Sequence, residues 1–453
     1  SRSAQIQRTL LPVILQWLAD GADPDYGLLA FRRLSDNLGE AYWFLRMLRD
    51  SSGAAQRLTS VLAASRYVGG LFERIPEGAA WLENEEELRP RPLAALIEEA
   101  RATVARYAGD PDAAAKALRT ARRREILRAA LAGILDVITV EQLGEALSDI
   151  TTTLLTGVLS LVHTYGDGIE FAVVAMGRYG GRELGFGSDA DVMYVYRDAG
   201  AGEHAQQRAE HLVRELGRLT EDLRLPLDLD AGLRPEGKNG PIVRSLESYR
   251  AYYERWSLTW EAQALLRASV VVGDEPLAAD FTALADGVRY PAAFAEKDAR
   301  EVRRIKARVE AERLPQAADP ARHLKLGRGS LSDVEWFVQL LQLQHAHSVP
   351  GLKTTSTLRA LAAAVEAGLV APDDAAKLRE AWLIASRARS AMTLWAAKTA
   401  DVLPTDRQQL GGVARLLGYG PNGAARLEED YLRTTRLARQ VFERGFYGAA
   451  PSA

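Results

Sequence analysis

The amino-acid sequence predicts an α+β protein that is mostly helical, with a small α/β core held between N-terminal and C-terminal helical regions. Three observations predict this class. Through most of the chain, apolar residues recur every three or four positions, the period of an amphipathic helix. Two short apolar runs, at residues 171–177 and 192–196, have the length of buried strands. A glycine-rich segment with two acidic residues joins them.

Length and composition narrow the class of protein and its partners. A chain of 453 residues predicts more than one domain, and 47% hydrophobic with 26% charged residues is typical of globular proteins. The net charge is -3 and opposite charges are interleaved, so we expect no nucleic acid as partner. No run approaches the ~20 apolar residues of a membrane span, so no membrane partner is expected. The absence of cysteine excludes disulfides and thiolate metal sites and favours a cytoplasmic location.

The changes of periodicity along the chain predict where the domains begin and end. Helical spacing continues to about residue 161, and it returns after a segment that reads as strand, loop, strand, helix, strand. The second strand is followed by a helical stretch at 203–224 and by an alternating apolar and acidic run at 225–230. We therefore expect four regions: an N-terminal helical domain at 1–161, a catalytic core at 162–275, a helical connection at 276–320 and a C-terminal helical domain at 321–453.

The glycine-rich segment that follows the first strand predicts a phosphate-binding loop. Paired glycines, Gly180 and Gly181, let a backbone approach a phosphate closely, and free N–H groups in such a loop attract anions. Ser188 can add a hydroxyl donor. Further along, Arg234 and Lys238 lie in a glycine-containing turn, where they are candidates to bind a triphosphate tail.

Acidic residues at the ends of the strands predict a site for two magnesium ions. Asp189 and Asp191 are two apart at the start of a strand, which places both side chains on one face. Carboxylates this close repel each other unless a cation lies between them. Asp230 is the best third carboxylate, and Asp228 is the reserve choice or a supporting group. An Asp-x-Asp pair alone is common in solvated turns, but its combination with the glycine loop and a second acidic strand is much more specific.

The motifs together resemble the glutamine synthetase adenylyltransferases, a family of the polymerase-β-like nucleotidyltransferase superfamily. Four blocks carry the resemblance, at residues 180–191, 230–235, 260–268 and 325–336. One departure is Gly232, which stands where the second block of the family usually has an arginine. The resemblance implies a polymerase-β-like core, with Asp189, Asp191 and Asp230 as catalytic and metal-binding residues.

The same resemblance implies an activity and partners. The expected reaction is transfer of AMP from ATP to a tyrosine hydroxyl of glutamine synthetase, which lowers that enzyme's activity, with the nitrogen-regulatory PII protein and glutamine as candidate effectors. Members of the family carry two catalytic cores, one that attaches AMP and one that removes it by phosphorolysis. This chain holds one core and begins with Ser1 rather than Met, so we expect it to be part of a longer protein. The 260–268 block and the helical tail of the chain are more similar to the C-terminal, AMP-attaching copy.

Two other interpretations remain open at this stage. An adenylyl-removing core would share the same carboxylates, so the metal site cannot separate the two directions. A regulatory or scaffold module that binds glutamine synthetase or PII through its helices is the second alternative, although the intact carboxylates argue against a purely structural role.

Overall fold

A computed structural model describes residues 2–39, 41–256 and 259–448 of the chain. It is 68% helical with one small mixed sheet, which confirms the predicted α+β class. N-terminal helices cover one face of the sheet, and helices within residues 246–289 cover the other.

The N-terminal region is helical up to residue 162, as the apolar periodicity predicts. Some of these helices begin at clear sequence signals: Asp23 and Asp110 each cap a helix whose first residue is proline, and Thr139 forms a capping box with Gln142. The helices are α1 (Arg2–Ala19), α2 (Pro24–Leu38), α3 (Tyr42–Asp50), α4 (Ser52–Ala64), α5 (Arg66–Phe72), α6 (Glu85–Leu88), α7 (Leu93–Arg106), α8 (Pro111–Ile134) and α9 (Val140–Val162).

The sheet is built around two long central strands. Its strands are β1 (Ile169–Ala175), β2 (Ala190–Asp198), β3 (Leu229–Asp230), β4 (Val243–Ser245) and β5 (Ser269–Gly273). Strand β1 pairs antiparallel with β2 and with β5, whereas β3 and β4 each pair parallel with β2. Because β3 pairs only with the first residues of β2, this end of the sheet brings two acidic segments together.

The predicted order of strand, loop, strand, helix and strand is present, with two corrections. The alternating run at 225–230 is a strand only at Leu229–Asp230, and β5 lies in the stretch after about residue 246 that periodicity assigned to helix. Strand β4 lies just before that stretch, where no element was predicted. The helices between and beside the strands are α10 (Gly177–Gly180), α11 (Ala205–Thr220), α12 (Leu246–Trp256), α13 (Thr259–Leu265) and α14 (Glu275–Arg289).

The C-terminal region returns to helices, as predicted, and forms its own apolar core. These helices are α15 (Glu296–Glu312), α16 (Leu331–His345), α17 (Thr357–Glu366), α18 (Pro372–Ala396), α19 (Arg407–Leu416) and α20 (Ala424–Phe442).

Alternate residues of β1 enter different cores, as the period of two in a strand requires. Phe171 and Val173 pack with the N-terminal helices, whereas Ala172 and Val174 face α12 and α14. The first of these cores is therefore continuous from the N-terminal helices to the sheet, across the expected boundary at residue 161. The domain limits stay a prediction.

One stretch in the described residues, Val140–Gly166, is long and apolar enough to cross a membrane, but 61% of its most apolar 18-residue window is buried inside the fold. It contains α9, which packs against α7, α8 and α11. Burial in the core accounts for its apolar composition.

Candidate active site

Two of the predicted carboxylates lie side by side on neighbouring parallel strands. Asp191 is the second residue of β2 and lies in register with Asp230 in β3. Hydrogen bonds on both sides hold the start of β2: the Ala190 N–H donates to the Asp228 carbonyl at 2.8 Å, and the Met176 N–H donates to the Asp191 carbonyl at 2.8 Å. Asp189 immediately precedes the strand. These contacts fix the backbone from which all three carboxylates project.

The three carboxylates line one cavity of about 640 Å³, a volume in the usual range for small-molecule sites. Asp228 is exposed and is not among the residues that line it. The structure therefore favours Asp230 over Asp228 as the third carboxylate. The Gly232 N–H donates to Asp230 Oδ1 at 2.7 Å, and a β-carbon at Gly232 would lie 2.9 Å from that oxygen, so a glycine permits the close turn here.

The electrostatics of this cluster show an excess of negative charge. Burial, together with the nearby carboxylates of Asp230, Asp189 and Asp228, raises the pKa of Asp191 to about 6, and the charge of Lys325 opposes this shift. Three of the four neighbouring charges that act on Asp191 are carboxylates, so the protein itself compensates the charge of this cluster incompletely.

The carboxylate cluster suits a metal ion that is also coordinated by water or substrate oxygens. Within the described ranges, no three His, Cys, Asp or Glu side chains are arranged to enclose an ion by themselves. Magnesium commonly binds through one or two carboxylates together with water and substrate phosphates, so Asp189, Asp191 and Asp230 could hold it in that manner.

The glycine segment, residues 177–189 between β1 and β2, folds differently from the predicted phosphate-binding loop. Residues Gly177–Gly180 form the short helix α10, in which the Gly180 N–H donates to the Met176 carbonyl at 2.8 Å and the Gly181 N–H donates to the Gly177 carbonyl at 3.0 Å. Neither N–H group is free to bind an anion. This corrects the expectation for Gly180 and Gly181 as amide donors, although Gly181 does line the cavity.

Close packing explains why glycines are needed in this segment. Gly177 has a φ of +53°, and a β-carbon there would lie 2.4 Å from Asp191 Oδ2. A β-carbon at Gly180 would lie 1.7 Å from the Arg267 carbonyl oxygen. These glycines therefore let the segment lie against the carboxylate strand and against the chain at Arg267. Ser188 lines the cavity, and its Oγ accepts from the Gly185 N–H at 3.2 Å.

The predicted phosphate ligands Arg234 and Lys238 do not line the cavity. The guanidinium of Arg234 donates to the carbonyls of Ala231, Lys238 and Gly240 at 2.7, 3.2 and 3.1 Å, so it braces its own loop. The chain turns there through left-handed backbone at Glu236, with a φ of +63°. The structure thus does not bring these two residues to the carboxylates, and their role as phosphate ligands stays a prediction.

A buried network of ion pairs forms another wall, which sequence analysis missed. The Arg267 guanidinium pairs with Glu183 and donates to Thr357 Oγ1 at 2.6 Å, while the Thr357 N–H donates to Glu183 Oε1 at 2.7 Å. Nearby, Arg178 pairs with Glu335 at 3.3 Å. Burial raises the pKa of Glu183, and the charge of Arg267 opposes this shift. The network joins the glycine segment to α16 and α17 of the C-terminal region.

The carboxylate strands, the glycine segment and their order match a known family along half of the chain. A family model described as glutamate-ammonia ligase adenylyltransferase matches residues 55–284, which include all three carboxylates. The chain belongs to the glutamate-ammonia ligase adenylyltransferase family. The family resemblance seen in the motifs is thereby confirmed. A second model, described as GlnD PII-uridylyltransferase, matches residues 299–446.

Members of the adenylyltransferase family from several bacteria align with nearly the whole chain. A protein of Leifsonia xyli subsp. xyli is 66% identical over 99% of this chain, one of Streptomyces avermitilis is 50% identical over 99%, and one of Mycolicibacterium smegmatis is 46% identical over 99%. Each is named bifunctional glutamine synthetase adenylyltransferase/adenylyl-removing enzyme, and the alignments cover 45%, 47% and 46% of their respective lengths. The chain spans about half the length of the curated relatives it matches.

Proposed function

We propose that this chain transfers AMP from ATP to a tyrosine hydroxyl of glutamine synthetase. The observation that carries the proposal is the register of Asp191 with Asp230 at one edge of the cavity, with Asp189 beside them. Family membership supports the choice of reaction, because the relatives are named for adenylyl transfer to glutamine synthetase. ATP as donor is consistent with a cytoplasmic location.

Magnesium is part of this proposal. Asp189, Asp191 and Asp230 would hold two ions, which when bound would neutralise phosphate charge and favour ionisation of the acceptor hydroxyl. The incompletely compensated charge around Asp191 supports this assignment. We further propose that the small sheet is a polymerase-β-like nucleotidyltransferase core, with Asp191 and Asp230 at the edge where the nucleotide binds.

The carboxylates of the chain have distinct tasks in the proposed reaction. The tyrosine oxygen forms a bond to the α-phosphorus of ATP as the bond from that phosphorus to the bridging oxygen breaks, and pyrophosphate leaves. A tyrosine hydroxyl has an ordinary pKa near 10, so its proton needs an acceptor. Asp230 is our candidate acceptor: the Gly232 N–H fixes one of its oxygens, while its side chain faces the cavity.

The decisive experiment is mass spectrometry of glutamine synthetase after incubation with the chain, Mg²⁺ and ATP. The expected result is a mass increase of one AMP per modified subunit that is absent with the Asp189→Ala/Asp191→Ala variant. No mass increase with the native chain would contradict the proposal.

Adenylyl removal is the second candidate, because the relatives carry both activities in their names and this chain covers about half of their length. The proposed assignment to the AMP-attaching copy rests on the 260–268 motif. Incubation of adenylylated glutamine synthetase with the chain and inorganic phosphate tests the alternative. Release of ADP, without AMP transfer from ATP in the first assay, would assign the chain to removal instead.

We also propose PII as a partner of the C-terminal region. The match of residues 299–446 to a model named for PII-uridylyltransferase supports this. Size-exclusion chromatography of the chain with PII, in the presence and absence of glutamine, tests it. Co-elution is expected, and separate elution under both conditions would contradict the proposal.

A further inference from the structure

Basic side chains that line the active-site cavity fall into two groups. Arg178, Arg182, Arg267, Arg359 and Arg389 each have a carboxylate partner within the protein. Arg313 and Lys325 also line the cavity, but across residues 2–39, 41–256 and 259–448 neither side chain has an ion-pair or hydrogen-bond partner. Both are exposed. Unpaired cations beside an acidic cluster are positioned for an anionic ligand.

Lys325 lines the same cavity as the carboxylates of Asp189, Asp191 and Asp230. Its side chain is exposed, so its ammonium group is accessible to a ligand in that cavity. A triphosphate that approaches Asp189, Asp191 and Asp230 meets negative charge, so cations of the protein must help to offset the repulsion.

The loop that carries Lys325 is held firmly on both sides. The Lys325 N–H donates to His323 Nδ1 at 3.3 Å, and the Ser332 N–H donates to the Lys325 carbonyl at 2.9 Å. A β-carbon at Gly327 would lie 2.2 Å from the His323 carbonyl oxygen, which shows how tightly the loop is folded. Its backbone is therefore fixed while its ammonium group remains free, an arrangement that suits a binding residue.

The base of this loop is fixed by a second set of buried charges. Asp333, at the start of α16, accepts from the Gly329 N–H at 2.6 Å and pairs with Lys306 at 2.7 Å and Arg439 at 3.0 Å. The side chain of Lys306 is 1% exposed. These charges are used within the fold, in contrast to the free ammonium of Lys325.

We propose that Lys325 and Arg313 bind the β- and γ-phosphates of the nucleotide, the role that the sequence assigned to Arg234 and Lys238. The inference rests on the proposed function and deepens it. Lysine supplies a compact point charge and arginine a planar pair of donors, and both suit phosphate oxygens. The proposal gives the C-terminal region a direct part in nucleotide binding, because residues 299–446 contribute both cations.

Calorimetry with inorganic tripolyphosphate and with adenosine tests the proposal without relying on turnover. The variants are Lys325→Gln, Arg313→Gln, their combination, and Lys325→Arg, with and without Mg²⁺ at low ionic strength. The control is Lys297→Gln, which removes one exposed positive charge of α15 that does not line the cavity. Thermal melting of each variant checks the fold.

Lys325→Gln is expected to weaken tripolyphosphate binding about tenfold, and the double variant more, because charge-assisted contacts to phosphate are lost. Lys325→Arg should recover most of the affinity. Lys297→Gln should bind within about twofold of the native chain, and adenosine affinity should be the same in all variants.

Three results would overturn the inference: no tripolyphosphate binding by the native chain, equal affinity in Lys325→Gln and Lys297→Gln, or an equal loss of adenosine affinity. Failure of the proposed function looks different. In that case tripolyphosphate binding would still depend on Lys325, while glutamine synthetase would gain no AMP in the mass-spectrometric assay.

Discussion

Two clusters of charged side chains share the candidate active-site cavity but differ in how their charges are compensated. In the buried network, Glu183 pairs with Arg267 and Glu335 pairs with Arg178, so the charges balance within the protein. At the strand edge, Asp191 lies across from Asp230, and their charges do not balance. The comparison teaches that one cavity can combine charges neutralised within the fold with charges that the fold leaves uncompensated, and the proposed function assigns the compensation of the second set to a ligand.

Removal of the carboxylates should produce the largest loss of AMP transfer. If activity survived, the contrast between the two clusters would no longer hold. The Asp189→Ala/Asp191→Ala variant is expected to lose about 10⁴-fold in AMP transfer, about 5 kcal/mol of transition-state stabilisation, because the charge proposed to bind metal is gone. Initial rates of AMP incorporation measure this. Asp228→Ala is the matched control, and an equally large loss there would show that the cavity does not define the site.

Disruption of the buried network of ion pairs should lower the stability of the fold. Arg267→Ala leaves Glu183 buried without its cation, which is expected to cost about 3–5 kcal/mol in the free energy of unfolding. Chemical denaturation followed by circular dichroism measures the change. The Glu183→Gln/Arg267→Met variant should recover part of the loss because no unpaired charge remains. Equal stability of Arg267→Ala and the native chain would contradict the structural role.

Disruption of the contact between the glycine segment and the buried network should reduce stability by a smaller amount. Gly180→Ala places a methyl group against the Arg267 carbonyl and should destabilise the fold by about 1–3 kcal/mol. Gly217 is the matched control, since it lies exposed within α11 with nothing within 4 Å of a β-carbon. Gly217→Ala should stabilise the fold by up to about 1 kcal/mol. Similar melting temperatures for the two variants would refute the close packing.

At the strand edge, where the carboxylate charges are not balanced, a neutral substitution should slightly stabilise the fold. In Mg²⁺-free buffer at neutral pH, Asp191→Asn should stabilise the fold by on the order of 1 kcal/mol, because burial and the neighbouring carboxylates disfavour the ionised form.

The pH dependence of that gain follows from the raised pKa of about 6. Ionised Asp191 destabilises the folded state most at pH above 6, and the penalty disappears as the pH falls towards 4, where the folded state holds a proton that the unfolded state also begins to bind. Thermal melts across this range measure the difference between Asp191→Asn and the native chain. A gain that stays constant with pH would contradict the interpretation.

The strands and the carboxylates were accessible from sequence because their signals are local. The apolar runs that became β1 and β2 end in turn residues, and Asp191 directly precedes the second run. Strand β4 has three residues, too few for a periodic signal. Strand β5 contains Val270, Val271 and Val272 before Gly273, a β-branched run that could have identified it.

The cations of the cavity could not be found in the same way. Arg234 and Lys238 follow Asp230 closely in sequence, but the turn at Glu236 and the carbonyls around it keep the guanidinium within its own loop. Lys325 opens the fourth motif block, but it lines the cavity of the carboxylates only through the packing of the C-terminal helices, which sequence spacing does not encode. Similarly, Arg267 and Glu183 come from separate motifs, and only the fold shows that they form a pair.

The core shared by the N-terminal helices and the sheet has a practical consequence. Phe186 of the glycine segment packs against Tyr67 with ring centroids 5.4 Å apart, and the Ser65 hydroxyl donates to the Leu394 carbonyl of α18 at 2.7 Å. A chain divided in the connection between α9 and β1 would leave each piece with a large apolar surface uncovered. The two fragments, produced together, would recover a complete cavity by association, whereas neither would behave as a self-sufficient module.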